Sequence, residues 1–207
     1  LPRLLVVDGG DPALPQIVGT SPALGAARGV GVVGNRAYVT DGRGLSVVDV
    51  TDPSMPDLIG FQDSPVLAIG VTVVGSIAYV ADACGLQLVD VSFPATPSLI
   101  GSIATPGFAL HVAVDGTTAY VADNTEGIQV VDVSDPSHPA LVNEIRTAGR
   151  ARQSAVLGEH LYVADGVGGL QVVEIRGPGT MQVVGATDTP GAASGAATAG
   201  GIAYVAD

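Results

Sequence analysis

The chain has 207 residues, the length of one ordinary domain or two small ones. Hydrophobic residues make up 47% of it, yet aromatics only 4%, and there are 29 glycines; this balance favours many short β-branched strands joined by tight turns over packed helices. The formal charge is −12 and all eight basic residues are Arg, so general binding to nucleic acid or an anionic membrane surface is disfavoured.

No stretch of 18 apolar residues exists, so no membrane-spanning helix is expected. No signal peptide or transit segment is visible either. The single cysteine, Cys84, has no internal partner for a disulfide, which leaves the redox compartment open.

In chain order, Leu1 to Asp8 reads as an apolar strand that ends on a carboxylate, followed by a turn at Asp11-Pro12. Then one phrase recurs: Ala37-Tyr-Val-Thr-Asp41, Ala78-Tyr-Val-Ala-Asp82, Ala119-Tyr-Val-Ala-Asp123, Leu161-Tyr-Val-Ala-Asp165 and Ala203-Tyr-Val-Ala-Asp207. It contains every tyrosine of the chain, and a fixed period near forty residues marks a repeat architecture. Within the unit Pro106 to Thr147, Ala109 to Val114 predicts a first strand that turns at Asp115-Gly116. Ala119 to Asp123 is the second strand, Ile128 to Val133 the third and Leu141 to Ile145 the fourth. Between the last two, Ser134 to Pro139 is a turn rich in Pro and Asx residues.

Runs such as Leu86-Gln-Leu-Val-Asp-Val91 do not alternate cleanly between apolar and polar, as expected of strands covered on both faces. Four-stranded antiparallel sheets packed face to face around an axis meet that need. The expected fold is therefore all-β, a five-bladed β-propeller forming a single domain. Its blades are approximately 22–62, 63–104, 105–147, 148–188, and 189–207 together with 1–21. The chain ends on a second strand and begins on a third, and joining them reproduces the internal spacing. The ring is expected to close by pairing of the N- and C-terminal strands in one blade.

The third-strand phrases Leu5-Val-Val-Asp8, Ser46-Val-Val-Asp49, Leu88-Val-Asp90, Val130-Val-Asp132 and Val172-Val-Glu174 resemble the LVIVD repeat family. The turns Asp11-Pro12, Asp52-Pro53 and Asp135-Pro136 fit as well, while Phe93-Pro94 and Gly177-Pro178 depart from the pattern. The resemblance implies a β-propeller module of the kind found in bacterial and archaeal surface or secreted proteins, and an extracellular or cell-surface location. It implies no particular chemistry.

Propellers resembling this one carry ligands on the loop face where first strands enter. Aligning the units on their tyrosines puts an alanine there in each unit (Ala27, Ala68, Ala109, Ala151, Ala193), with varied residues around it. The candidate ligand contacts are Arg28, Leu67, Ile69, Phe108, Leu110, His111, Arg150, Arg152, Gln153 and Ser194. Scarce cations gathered on this rim, with Arg43 in an adjacent loop, suit a carboxylate or phosphate, and the apolar residues give the pocket a wall. The competing expectation is that these arginines pair with carboxylates such as Asp41 or Glu126.

His111 is the single histidine at this rim and the one candidate proton-transfer group, with Gln153 and Cys84 as its nearest candidate partners. The ring of Asp41, Asp82, Asp123, Asp165 and Asp207 recurs in every unit, so it is expected to cap backbone N–H groups in the turn after strand two. The second carboxylate ring, Asp8, Asp49, Asp90, Asp132 and Glu174, is expected to be structural too. No metal site or cofactor is expected, since calcium-loop, Walker, nucleophile-elbow and zinc-protease motifs are all missing. Together these features favour a non-catalytic binding module for a small anionic molecule, a glycan or a protein. The alternative is an enzyme acting on an anionic small molecule, with Arg anchors and His111 moving a proton.

Overall fold

The computed structural model describes residues 2–22, 24–177 and 180–207. All regular structure among them is β. The first hairpin is β1 (Leu5–Asp8) and β2 (Gln16–Thr20). Three complete units follow: β3 (Gly29–Val33), β4 (Arg36–Thr40), β5 (Gly44–Asp49) and β6 (Asp57–Asp63); β7 (Ala68–Val74), β8 (Ile77–Asp82), β9 (Gly85–Asp90) and β10 (Ser98–Ala104); β11 (His111–Asp115), β12 (Thr118–Ala122), β13 (Ile128–Asp132) and β14 (Ala140–Ile145). A fourth comprises β15 (Gln153–Leu157), β16 (His160–Ala164), β17 (Leu170–Glu174) and β18 (Gln182–Thr187), and the chain ends on β19 (Gly195–Ala199) and β20 (Ile202–Ala206).

Each complete unit is a four-stranded sheet in sequence order, and the pairs β3–β4, β4–β5, β11–β12, β12–β13, β15–β16 and β16–β17 are antiparallel. The predicted strands of the unit 106–147 are all present. Its first strand opens at His111, two residues late, although Leu110 already donates its N–H to the carbonyl of Ala122. The register slips once between the third and fourth strands at matching places: Val47/Val48, Val130/Val131 and Val172/Val173.

The terminal strands stand in two separate two-stranded sheets, not in the one four-stranded blade expected of them. β1 and β2 make one two-stranded sheet, and β19 and β20 make another. Each hairpin closes locally, the second through Gly200 and Gly201, both at positive φ where side chains are disfavoured. Pairing across the ends would instead have to close the whole chain into a loop. The departure at Gly177-Pro178 lies partly outside the described residues.

The chain divides into two compact units. The first is Leu1–Val80 with Val89–Leu99, and the second is Ala81–Leu88 with Ile100–Asp207. In the first, Tyr38, Leu45 and Val47 pack with Ala68, Val71 and Val80. In the second, Tyr120, Ala122 and Val130 pack with Ala151, Leu161, Val163 and Val173. Residues paired across antiparallel strands share a face, so in both units the tyrosine face of one sheet lies against the alanine–valine face of the next. This is why the third strands read as continuous apolar runs.

Small residues permit the close approach of the sheets. A β-carbon on Gly60 would collide with the carbonyl oxygen of Pro94, and one on Gly101 with that of Pro136. These glycines sit on fourth strands and receive the proline turn of the following unit.

Candidate functional site

The recurrent aspartates are anchored as capping residues, but to more than the turn after strand two. Asp82 does accept the N–H groups of Cys84 and Gly85 in that turn, at 2.8 and 2.9 Å. Asp123 instead reaches back, accepting the Thr105 hydroxyl at 2.7 Å and the Gly107 N–H at 2.8 Å. Asp165 does the same with Thr147 and Gly149, and Asp207 with Thr189 and Gly191. Asp41 combines both modes through the N–H groups of Gly25 and Arg43. Asp41, Asp123, Asp165 and Asp207 thus bolt their second strands to the loop that enters the same sheet. The signal was present in the sequence as the triplets Thr105-Pro-Gly107, Thr147-Ala-Gly149 and Thr189-Pro-Gly191 at a spacing of 42.

Burial sets their ionisation. It pushes Asp123 and Asp165 above the usual carboxylate range, against the pull of their hydrogen bonds. At Asp41 burial pushes up too, but the Gly25 and Arg43 N–H groups and the Arg43 guanidinium outweigh it and hold the carboxyl low. Asp49, Asp90 and Asp132, of the second ring, are held low by N–H and hydroxyl donors two residues on, an Asx-turn geometry. Among the described residues no cluster of three or more metal-ligating side chains forms.

The alanines at strand-one entry work as expected of small residues. Ala68, Ala109, Ala151 and Ala193 are completely buried, whereas Ala27 is exposed. Ala151 exchanges two backbone hydrogen bonds with Asn124, and Ala193 does so with Gly166. Each alanine therefore ties its strand to the strand two–three loop of the preceding sheet. Asn124 and Gly166 hold positive φ at these ties.

Around this edge the second unit assembles seven of the candidate residues. Phe108 and Leu110 lead into β11, His111 opens it, Arg150 and Arg152 lead into β15, Gln153 opens that strand, and Ser194 precedes β19. Leu110 and Gln153 are half-buried, and Phe108, Arg150, Arg152 and Ser194 are exposed. The Oε1 of Gln153 lies where a β-carbon on Gly195 would be 3.0 Å away, so the glycine makes room for it. Gln153 also lines an open cavity of about 340 Å³ with Gly195, Ala197 and Tyr204. The remaining three candidates belong to the first unit: Arg28 is exposed, and Leu67 and Ile69 are half-buried.

The arginines separate into two groups. Arg43 pairs with Asp41 at 3.4 Å and stacks over Phe61, Arg146 pairs with Glu126, and Arg176 with Glu174 and Glu159. Among the described residues Arg28, Arg150 and Arg152 form no ion pair. The carboxylate pairing expected as the competing reading therefore holds for Arg43 and Arg146, which lie off the candidate set.

His111 is half-buried as a residue, but its Nδ1 is wholly buried and has no hydrogen-bond partner among the described residues. Burial pulls the imidazole down to about 4. It is neutral near pH 7 and a weak base there, and neither Gln153 nor Cys84 forms a hydrogen bond with it. Cys84 is exposed and in no disulfide.

An all-β chain built from four-stranded repeats, with a loop edge that varies while its scaffold repeats, is a β-sheet repeat protein. The model of the LVIVD repeat matches residues 24–63, 67–105, 106–147 and 148–189. The chain belongs to the LVIVD repeat family. No curated protein matches the sequence. Its fold is similar to that of a functionally unknown protein from Desulfotomaculum acetoxidans DSM 771, with a TM-score of 0.80 at 14% identity over 92% of this chain. The match spans 66% of that protein's length. The computationally designed Ika8 and Ika4 proteins are similar too, both with TM-scores of 0.62, at 7% and 12% identity. Those matches cover 92% and 77% of this chain, and 71% and 98% of the designed ones. At such identities the likeness concerns the fold alone.

Proposed function

We propose that this protein is a non-catalytic binding module, its sheets serving as blades of a β-propeller, which presents the strand-one entry edge to a small anionic ligand, a glycan or a protein partner. A location outside or on the surface of the cell belongs to the same proposal. The observation that carries it is the contrast among the arginines. Among the described residues Arg150 and Arg152 stand exposed and without an ion-pair partner, just ahead of β15, in a protein with a large acidic excess. Guanidinium groups left free of internal partners are available for two-point contact with a carboxylate or phosphate. Arg28, Leu67 and Ile69 extend the proposal to the equivalent edge of the first unit.

Calorimetric titration of the purified chain with carboxylates, sugar phosphates and acidic glycans tests this reading. Saturable binding that falls about tenfold or more in an Arg150→Gln/Arg152→Gln double variant with unchanged thermal stability supports it. Binding of nothing in the panel, or binding indifferent to both arginines, overturns it. So does turnover of a bound molecule that disappears in His111→Gln, the outcome the enzymatic alternative requires.

A further inference from the structure

The repeat makes two polar residues conspicuous. At the first position of strand one, the other units carry Gly29, Gly70, Gln153 and Gly195, whereas the third carries His111. At the second position the others carry Val30, Val71, Val112 and Ala196, whereas the fourth carries Ser154. His111 Nδ1 and Ser154 Oγ are both buried, and neither has a hydrogen-bond partner among the described residues. A scaffold that closes with glycine in three units at the first place, and with valine or alanine in four at the second, does not need either group. Burying an unmatched polar atom costs stability, so such departures mark positions kept for another purpose.

The two groups face one seam. His111 pairs with Ala122 and is two residues from Ala113, and both alanines belong to the second unit's core. Ser154 pairs with Val163, which belongs to the same core. Residues opposite one another, and residues two apart on a strand, share a face. β11 and β15 are in direct contact. His111 therefore projects from β11 towards β15, and Ser154 from β15 towards β11. Arg152 lies two residues before Ser154, exposed and just ahead of β15, with its backbone N–H bonded to the carbonyl of Ala164, the residue paired with Gln153.

We propose that the mouth of the β11–β15 seam is a subsite for one carboxylate group on a ligand with an apolar body. The Ser154 hydroxyl and the His111 Nδ1–H donate to its two oxygens, and the Arg152 guanidinium supplies the opposing charge. Phe108 and Leu110, just before β11, receive the apolar remainder. Two single buried donors on an apolar seam, with an exposed guanidinium nearby, match a planar two-oxygen anion better than a bulkier phosphate with more oxygens to satisfy. Burial keeps His111 neutral at physiological pH, so one ring nitrogen carries a proton without adding a second charge. This subsite rests on the binding-module reading and names the ligand chemistry for it.

Titration of the ¹⁵N-labelled chain with benzoate, acetate and inorganic phosphate, followed at the His111 ring nitrogens, tests the assignment. Benzoate is expected to produce a saturable shift at His111, acetate a weaker one and phosphate the weakest. Arg152→Gln should raise the benzoate dissociation constant about tenfold or more, and Ser154→Ala several-fold. Ser154→Ala is structurally mild, because Ala196 fills the equivalent place and is buried. Benzoate shifts that persist unchanged in both variants overturn the subsite, as does phosphate acting more strongly than benzoate. If anions bind through Arg150 and leave His111 unmoved, the subsite falls and the binding module stands. If no anion binds anywhere, both fall.

Discussion

The hydroxyl of Thr147 donates to Oδ1 of Asp165 at 2.5 Å, joining two residues eighteen positions apart. The same pairing recurs as Thr105 with Asp123 and Thr189 with Asp207. Asp165 is fully buried, so a lost donor cannot be replaced by bulk water. Thr147→Val is expected to destabilise the fold by about 1–3 kcal/mol, read from the urea midpoint at constant slope. A change below a few tenths would mean that the bolt carries no stability.

His111 makes stability depend on pH in a defined window. Its folded-state pKa of about 4 lies below the ordinary imidazole value of 6.5, so the unfolded chain takes up a proton first as pH falls. The resulting stability is complete above pH 6.5 and is lost as pH drops towards 4. The loss attributable to this group approaches about 3 kcal/mol. His111→Leu should flatten that part of the urea-midpoint profile relative to the parent chain; identical profiles would refute the burial of a neutral imidazole.

Asp123 and Asp165 act with the opposite sign. Their folded-state pKa values are raised, so burial of the charged form opposes folding above the usual carboxylate pKa, and this penalty disappears below it. The carboxyl resonances of both residues should titrate above that of Asp135, whose pKa the Ser137 hydroxyl and N–H groups and His138 hold down. A common midpoint for all three would contradict the assignment.

Two glycines at equivalent places should respond differently to alanine. Gly101→Ala would drive a methyl group into the Pro136 carbonyl, and overpacking of this kind costs about 1–3 kcal/mol or more. Gly185 meets nothing nearer than Val172 at 3.8 Å, so Gly185→Ala should change stability by less than about 0.5 kcal/mol. A large loss at Gly185 would show that a proline turn covers it in solution. Tyr204 adds a matching sign: it is 56% exposed, where Tyr38, Tyr79 and Tyr120 are 5%, 4% and 3% exposed.

Arginine substitutions should divide along the same line as their contacts. Arg43→Ala removes a partner of the buried Asp41 carboxylate and the stacking on Phe61, and is expected to cost about 1–3 kcal/mol. Arg150→Gln and Arg152→Gln break no ion pair and should leave the thermal midpoint unchanged. A drop of several degrees in either would indicate a structural role.

The sequence alone determined the repeat, its strands and the structural duty of the aspartates. Strand alternation, Asp-Gly and Asp-Pro turns, and a tyrosine every 41 or 42 residues are local signals, written within reach of a few side chains. The Thr-x-Gly partners of Asp123, Asp165 and Asp207 were legible as well, but only to a reader comparing units at long spacing. What the tertiary structure decided depends on which surfaces meet. It separated paired arginines from free ones, left β1–β2 and β19–β20 as two sheets, and turned His111 Nδ1 and Ser154 Oγ inward without partners. Pairing and burial arise from packing between elements distant in the chain, and no local pattern encodes them.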